Sequence, residues 1–206
     1  MILSWSLRII RKIFRYIVDL YNWLAVKLSL ILNNVKHKSI RCNGRPYIAV
    51  SPKGSCVIGE NFSMNNGVRH NPIGFPQPCQ IVVTANAKLN IGNNVGISQA
   101  SIICHKAISI GDYVKIGGGV KIYDTNFHSL DPIVRRDPVK DMQEKKCSPV
   151  IIEHDVFIGA GSIILSGVTI GANSIVAAGS VVVKNIPPNE IWGGNPARCL
   201  RKGESK

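Results

Sequence analysis

The chain has 206 residues and a mass of 22.4 kDa, enough for one good-sized domain with an appended helix but short for two independent cores. Its composition, 45% hydrophobic and 18% charged, excludes a wholly disordered protein. The net charge of +13 favours an acidic partner, namely nucleic acid, an anionic membrane surface or a phosphorylated ligand. The six cysteines form no C-x-x-C pair, so the sequence indicates neither a zinc ribbon nor a redox dithiol.

The first segment, residues 1–46, is predicted to be a basic amphipathic helix followed by a linker. It carries nine Lys and Arg side chains against Asp19 alone, so +8 of the net charge lies in this first quarter. On a helical wheel the polar residues from Ser4 to Asn22 share one narrow arc. The apolar stretch is too interrupted for a membrane span. Two interpretations stay open: residues 1–35 contact a membrane interface, or the apolar face packs on the protein's own body or a sister subunit.

A repeat dominates the rest of the chain, because an aliphatic residue returns at every sixth position. This period matches neither a helix nor a simple strand, and it predicts a coil of short strands with three strands per triangular turn. Five or six turns are expected over residues 48–187, within a domain of residues 47–187. The repeated positions are Ile91, Ile97 and Ile103, then Ile110, Ile116 and Ile122, and finally Ile152, Ile158, Ile164, Ile170, Val176 and Val182.

Two further motifs accompany the repeat: D-T-N-F-H-S-L-D at residues 124–131 and I-P-P-N-E-I-W-G-G-N-P-A-R at residues 186–198. Together they resemble the hexapeptide-repeat acyltransferases, most closely the galactoside and maltose O-acetyltransferases and the O-acetyltransferases of surface-polysaccharide clusters. The resemblance covers about residues 50–201. It implies a mainly β fold, a left-handed parallel β-helix that forms a homotrimer, with acetyl-CoA in a groove between subunits.

The repeat breaks between Ile122 and Pro149, and the break predicts a protruding active-site loop over residues 124–149. Long excursions from a repeat scaffold are usually functional. Acetyl transfer to a hydroxyl needs a base to accept the hydroxyl proton, and neutral imidazole is suited to that near pH 7. We therefore expect His128 to be the general base, which is also the role that the resemblance implies for the histidine of this motif.

Three other residues are weaker candidates. Asp124 either orients the His128 imidazole or caps a turn. Asn126 is expected to bind substrate hydroxyls or to be a solvated loop residue. His105 either faces the acceptor or is an exposed corner residue.

The resemblance also implies a set of coenzyme A contacts. Backbone or groove contacts with the pantetheine arm fall on Ala160, Ala178 and Val183, and basic groups near the nucleotide phosphates fall on Lys184, Arg198 and Arg201. A ligand with several phosphates needs such a basic terminus. The last two of these residues lie in the expected C-terminal segment, residues 188–206, on the acetyl-CoA side.

The sequence therefore predicts a cytoplasmic acetyl-CoA-dependent O-acetyltransferase acting on a saccharide hydroxyl in cell-surface polysaccharide synthesis. The acceptor is expected to be a saccharide, and free, lipid-linked and nucleotide-linked forms stay open, as does a peripheral location at the inner membrane face. Neither a metal nor nucleic acid is expected as a partner. The alternatives are N-acetylation of an amino sugar or nucleotide sugar, and a non-catalytic membrane-associated scaffold. A zinc carbonic anhydrase on the same coil would need three converging imidazoles, and the H-x₄-H spacing typical of such enzymes is missing.

Overall fold

A computed structural model of the chain describes residues 2–203, with side chains from residue 7 onward. Residue 1 of the expected N-terminal segment and residues 204–206 of the expected C-terminal segment lie outside this range. The fold consists of one long helix, a parallel coil of short strands, and one excursion that carries a short helix. This confirms the mainly β repeat fold with an N-terminal helix and a protruding loop.

The elements follow one another in chain order. They are α1 (Ile2–Leu32), β1 (Lys36–His37), β2 (Ile40–Asn43), β3 (Tyr47–Val50), β4 (Ser55–Ile58), β5 (Phe62–Asn65), β6 (Gln80–Val83), β7 (Lys88–Ile91), β8 (Gly96–Ser98), β9 (Ser101–Cys104), β10 (Ala107–Ile110), β11 (Lys115–Ile116), β12 (Lys121–Tyr123), a 3₁₀ turn (Val134–Arg136), α2 (Pro138–Glu144), β13 (Val150–Ile152), β14 (Phe157–Ile158), β15 (Ile163–Ile164), β16 (Thr169–Ile170), β17 (Ile175–Val176), β18 (Val181–Val182), β19 (Ile191–Gly194) and β20 (Ala197–Arg201).

Three parallel sheets form the three sides of the coil. The first side is β1-β4-β7-β10-β13-β16, the second is β2-β5-β8-β11-β14-β17-β19, and the third is β3-β6-β9-β12-β15-β18. Only β20 is antiparallel, against β19, among the strand pairs described. The coil begins at Lys36, earlier than the repeat predicts, because its first turn lacks the aliphatic-Gly pairs that mark the later turns.

The repeated aliphatic side chains stack along the axis of the coil. On the second side, Ile97, Ile116, Ile158 and Val176 occupy equivalent positions and are buried. Full burial of one such side chain stabilises the fold by about 1.5–3 kcal/mol. Every turn adds one buried side chain to each of the three stacks. The core is therefore continuous along the coil, as the six-residue period predicts.

One position of the predicted repeat is wrong. Ile102, not Ile103, pairs with Ile122 in the third side and is buried, whereas Ile103 is only half-buried. The corner before β9 is short, with only Gln99 and Ala100 between the strands, so the inward position arrives one residue early.

Corners of the coil depend on left-handed backbone. Between the first and second sides, Asn94, Tyr113, Asp155 and Asn173 all have positive φ, between 59° and 61°. Asparagine tolerates this conformation because its short side chain bonds locally, which explains its frequency at these corners.

The helix α1 packs against the first turn of the coil through a narrow strip. Val26 and Leu30 are buried in the common core, and the Asn33 side-chain oxygen accepts a hydrogen bond from the Val50 N–H at 2.8 Å. The apolar face predicted from the wheel points away from this strip. Within this chain, the interpretation that the apolar face packs on the protein's own body is therefore wrong.

Candidate active site

The excursion between β12 and β13 is anchored by a buried carboxylate at its start. Asp124 is inaccessible to solvent and accepts hydrogen bonds from the backbone N–H groups of His105, Lys106 and Ala107, each at 2.7 Å. The three N–H groups belong to the corner between β9 and β10, which lies one turn earlier on the same edge of the coil. Both oxygens of the Asp124 carboxylate are therefore already bonded. Its observed contacts are thus those of a turn cap, and they do not include the His128 imidazole, so the interpretation that Asp124 orients that ring is wrong for this structure.

The two ends of the excursion are tied together at a neck. The Asp124 carbonyl accepts from the Ser148 N–H and the Ser166 hydroxyl, both at 2.9 Å, and Thr125 bridges Cys147 in antiparallel fashion. The closed neck fixes the point at which the loop departs from the coil. The conformation of the loop beyond Thr125 depends on other contacts.

Within the loop, His128 is paired with a carboxylate from α2. Its Nδ1 lies 2.6 Å from one Asp141 carboxylate oxygen, and the other oxygen accepts the Ser129 N–H, also at 2.6 Å. The Asp141 side chain is only 8% exposed, whereas that of His128 is 66% exposed. The hydrogen bond from His128, followed by that from Ser129, lowers the pKa of the Asp141 carboxyl below its ordinary value.

Local sequence explains how α2 presents Asp141. Asp137 caps the helix by accepting from the N–H groups of Val139 and Lys140, and Pro138 occupies the first turn, where a missing N–H costs nothing. On the other side of the pair, the Arg135 guanidinium donates to the Ser129 carbonyl at 2.6 Å. The loop is therefore ordered around the pair by a few polar contacts.

This arrangement is suited to proton transfer. A carboxylate at Nδ1 favours the tautomer with the proton on Nδ1, so that Nε2 is free to accept a proton from a substrate. The same relation holds the ring in place and stabilises the imidazolium that forms. His128 and Asp141 together therefore have the geometry expected of a base and its orienting partner.

Sequence reasoning missed Asp141. It lies 13 residues after His128 and belongs to no motif, so its spacing alone carries no signal. The only available sign was the helix start at Asp137-Pro138, which places Asp141 in the first turn and a half of a helix inside the excursion.

The two predicted acceptor residues, Asn126 in the loop and His105 at a corner of the coil, differ in environment. Asn126 is exposed and its N–H bonds the Lys146 carbonyl at 3.0 Å. The His105 ring lies 6.0 Å from the Phe127 ring in an edge-on arrangement, and Phe127 also contacts Tyr123 at 5.1 Å. Burial, and secondarily the positive charge of Lys145, lowers the pKa of His105. The neutral imidazole of His105 therefore forms part of an aromatic patch beside the loop.

The residues expected to contact coenzyme A lie along the C-terminal turns of the coil. Ala160 and Ala178 occupy successive corners between the second and third sides, joined by the Gly179 N–H bond to the Ala160 carbonyl at 2.8 Å. This corner is open, since a side chain added at Gly179 would meet nothing within 4 Å. Val183 and Lys184 follow β18 at the next edge, which is the edge from which the loop departs.

The basic residues Arg198 and Arg201 lie on β20, the hairpin partner of β19 at the C-terminal end of the coil, and both are exposed. Lys184 is exposed as well. Three exposed cations at the C-terminal end of the coil suit the phosphates of an extended ligand. Within one chain, Ala160 and Ala178 lie on a different edge of the coil from the His128 loop.

Comparison with known proteins identifies the family. The model for the hexapeptide repeat of succinyl-transferase matches residues 149–184. The putative lipopolysaccharide biosynthesis O-acetyl transferase of Escherichia coli K12 is 32% identical over 186 residues, which cover 89% of each chain. The chain belongs to the hexapeptide-repeat acetyltransferase family.

A solved member of this family supports the assignment. A hexapeptide-repeat acetyltransferase of Vibrio cholerae, crystallised with acetyl coenzyme A, is 29% identical, with a TM-score of 0.55 over 87% of this chain and 76% of that one. The chain spans about half the length of several other curated relatives that it matches, 45% and 44% in two cases.

The coil also resembles a second kind of hexapeptide-repeat protein. Mitochondrial gamma carbonic anhydrase 2 of Arabidopsis thaliana is 34% identical over 163 residues, covering 73% of this chain and 58% of that protein. A catalytic zinc site needs three converging protein ligands. In the part of the chain that the structure describes, no group of three His, Cys, Asp or Glu side chains is placed to hold a metal ion.

Proposed function

We propose that the protein is an acetyl-CoA-dependent O-acetyltransferase that acetylates a saccharide hydroxyl in the synthesis of a cell-surface polysaccharide. The observation that carries this proposal is the His128–Asp141 pair at 2.6 Å, presented on an ordered loop of a hexapeptide-repeat coil with most of the imidazole exposed. The putative lipopolysaccharide biosynthesis O-acetyl transferase of E. coli, matched over 89% of each chain, supports the acceptor class.

In the proposed reaction, His128 accepts the proton of the acceptor hydroxyl as the hydroxyl oxygen attacks the thioester carbonyl. The carbon–sulfur bond then breaks, and the same imidazole returns the proton to the departing thiolate sulfur. Acetyl ester and free coenzyme A are the products, so atoms and charge balance without a covalent acyl-enzyme. Asp141 holds the ring in the tautomer that this cycle requires.

The donor is proposed to lie along the corner of Ala160 and Ala178, with its phosphates near Lys184, Arg198 and Arg201. Because this corner and the His128 loop belong to different edges of one chain, a homotrimer would bring the loop of one subunit to the corner of its neighbour. Asn126 and His105 are proposed to contact the acceptor beside the loop. The reaction would take place in the cytoplasm, where acetyl-CoA is present.

The test is release of free thiol from acetyl-CoA by the full chain, in the presence of a panel of saccharides, nucleotide sugars and lipid-linked sugars. Release that depends on one acceptor class supports the proposal and names that class. Release that does not exceed the acceptor-free background with any saccharide contradicts it. If acetyl-CoA also fails to bind, the non-catalytic scaffold becomes the better account.

A further inference from the structure

The helix α1 exposes an unusually large apolar surface. Fourteen large hydrophobic side chains between Leu7 and Leu32 are 37–75% exposed, including Ile10, Phe14, Ile17, Leu24 and Ile31. A typical monomer does not expose a contiguous apolar patch of this extent without a partner. The proposed transfer reaction makes no use of this surface.

The direction in which this surface faces is fixed by the other side of the helix. Val26 and Leu30 are buried against the coil, and an ion pair between Arg69 and Asp19 at 3.9 Å and a hydrogen bond from Arg45 to the Tyr21 hydroxyl at 3.4 Å lie along the flanks. The polar arc of α1 thus faces its own domain. The apolar arc faces outward, the reverse of an amphipathic helix that covers a protein core.

The width of the apolar arc argues against a helical partner. On a wheel, the exposed positions from Ile9 to Leu32 cover about half of the circumference, whereas a coiled-coil seam is a narrow stripe of two positions in seven.

Charge and aromatic content both match a lipid surface. Arg11 and Lys12 lie at the two borders of the polar arc, next to the apolar arc, where their long side chains can reach anionic headgroups. Tyr16 and Trp23 are exposed on the borders of the apolar arc, as is typical of aromatic residues at a membrane interface. Across the described residues, no helix has the length and hydropathy needed to cross a bilayer.

We propose that α1 lies in the plane of an anionic phospholipid bilayer, with its outward apolar arc among the acyl chains and its polar arc toward the coil. A helix of this kind is buried by about 5–10 Å at the boundary of headgroups and acyl chains. The contacts of α1 with the coil would then set the orientation of the whole domain relative to the membrane. An acceptor held at the same surface would be brought close to the enzyme.

The experiment is flotation of the full-length protein with vesicles of phosphatidylcholine alone and of phosphatidylcholine with phosphatidylglycerol. Two variants carry the same change in charge. Ile17→Glu with Leu24→Glu alters the centre of the outward arc, and Val57→Glu with Val68→Glu alters exposed apolar residues of the coil and of a surface loop. Circular dichroism and thermal melting verify that both variants fold.

The expected result is binding to the anionic vesicles that exceeds binding to the neutral ones and falls with salt. The α1 variant should lose at least about tenfold in partitioning, because two buried apolar side chains are replaced by charges, while the control variant binds like the wild type. Three outcomes would overturn the proposal. The first is a wild type that does not float, and the second is an α1 variant that floats as well as the wild type. The third is a wild-type oligomer that does not bind vesicles, together with an α1 variant that is monomeric, which would make the apolar arc a contact between subunits.

This readout is independent of acetyl transfer. A protein that floats but releases no thiol would leave the membrane proposal standing and contradict the proposed function. A protein that transfers acetyl groups but never floats would do the opposite.

Discussion

The coil and the loop of residues 124–149 are stabilised in opposite ways. In the coil, each buried aliphatic side chain has an equivalent one turn above and below, so that Ile116, Ile158 and Val176 repeat one environment. In the loop, each contact is made once: one carboxylate for His128, one cap for α2, one neck at Thr125 and Cys147. Redundancy makes the coil a rigid support, while singular contacts allow the loop to hold a chemical group in one geometry.

This contrast separates stability from activity. Substitutions in the coil should change stability first, because many contacts there serve only packing. Substitutions in the loop should change catalysis first, since the loop contributes little to the common core. The following expectations test this division.

The largest effect is expected from His128→Ala. Loss of the general base should lower kcat by about 10²- to 10⁴-fold while acetyl-CoA binding, measured by calorimetry, stays unchanged. His154→Ala is the matched control, because His154 forms a similar pair with Asp155 at 2.8 Å on a corner of the coil. A His128→Ala enzyme with wild-type kcat would show that the loop does not supply the base.

The next effect is on stability. Ile158→Ala removes a fully buried side chain from the axial stack and should lower the free energy of unfolding by about 2–5 kcal/mol in chemical denaturation. Ile151→Ala, on the outward side of β13 and 42% exposed, should cost far less. Equal losses in the two variants would mean that the axial stack is not the main source of stability.

Asp141→Asn should act through His128 rather than through folding. By analogy with residues that orient metal-bound histidines, we expect a loss of about 10- to 100-fold in kcat. KM should change little, the melting temperature should fall only by the small contribution of the Asp141 pair, and Asp141→Glu should recover part of the activity because it restores a carboxylate. A loss confined to KM or to stability would assign Asp141 a merely structural role.

Asp124→Asn should show the reverse pattern. An amide in place of the carboxylate cannot accept all three N–H bonds at the corner of His105, so we expect a loss of about 1–3 kcal/mol in the free energy of unfolding. The kcat per folded molecule should stay unchanged. A fall in kcat at unchanged free energy of unfolding would show that Asp124 takes part in catalysis.

The smallest effect is a pH dependence. The Asp141 pKa is lowered in the folded protein by the bonds from His128 and Ser129, so its contribution to stability is complete above the carboxyl's ordinary pKa. That contribution is lost as pH falls through the lowered value. Thermal melting between neutral and strongly acidic pH should therefore fall more steeply for the wild type than for Asp141→Asn. Parallel curves would show that the pair does not stabilise the loop.

The sequence predicts the coil well because its information is periodic. The positions of Ile152, Ile158 and Ile164 follow from spacing alone, and the one wrong repeat position, Ile103 in place of Ile102, arises where a corner is shortened at Gln99. A regular period predicts corners of equal length, so it cannot reveal one corner that is shorter than the others.

The loop and α1 were predictable only in part. The motif at His128 marks the loop, but the partner of the imidazole depends on the path of α2, which no local pattern encodes. For α1, the wheel separates a polar from an apolar face without saying which one meets the coil, and the burial of Val26 and Leu30 settles that.

The most direct test of the account is transfer of an isotopically labelled acetyl group from acetyl-CoA, by wild type and His128→Ala in parallel, to the acceptor class found by thiol release. The account predicts label in the acceptor as an alkali-labile ester, present with the wild type and lost with His128→Ala at undiminished acetyl-CoA binding. An alkali-stable amide would contradict transfer to oxygen, and label transferred equally by both proteins would contradict the assignment of the chemistry to the loop.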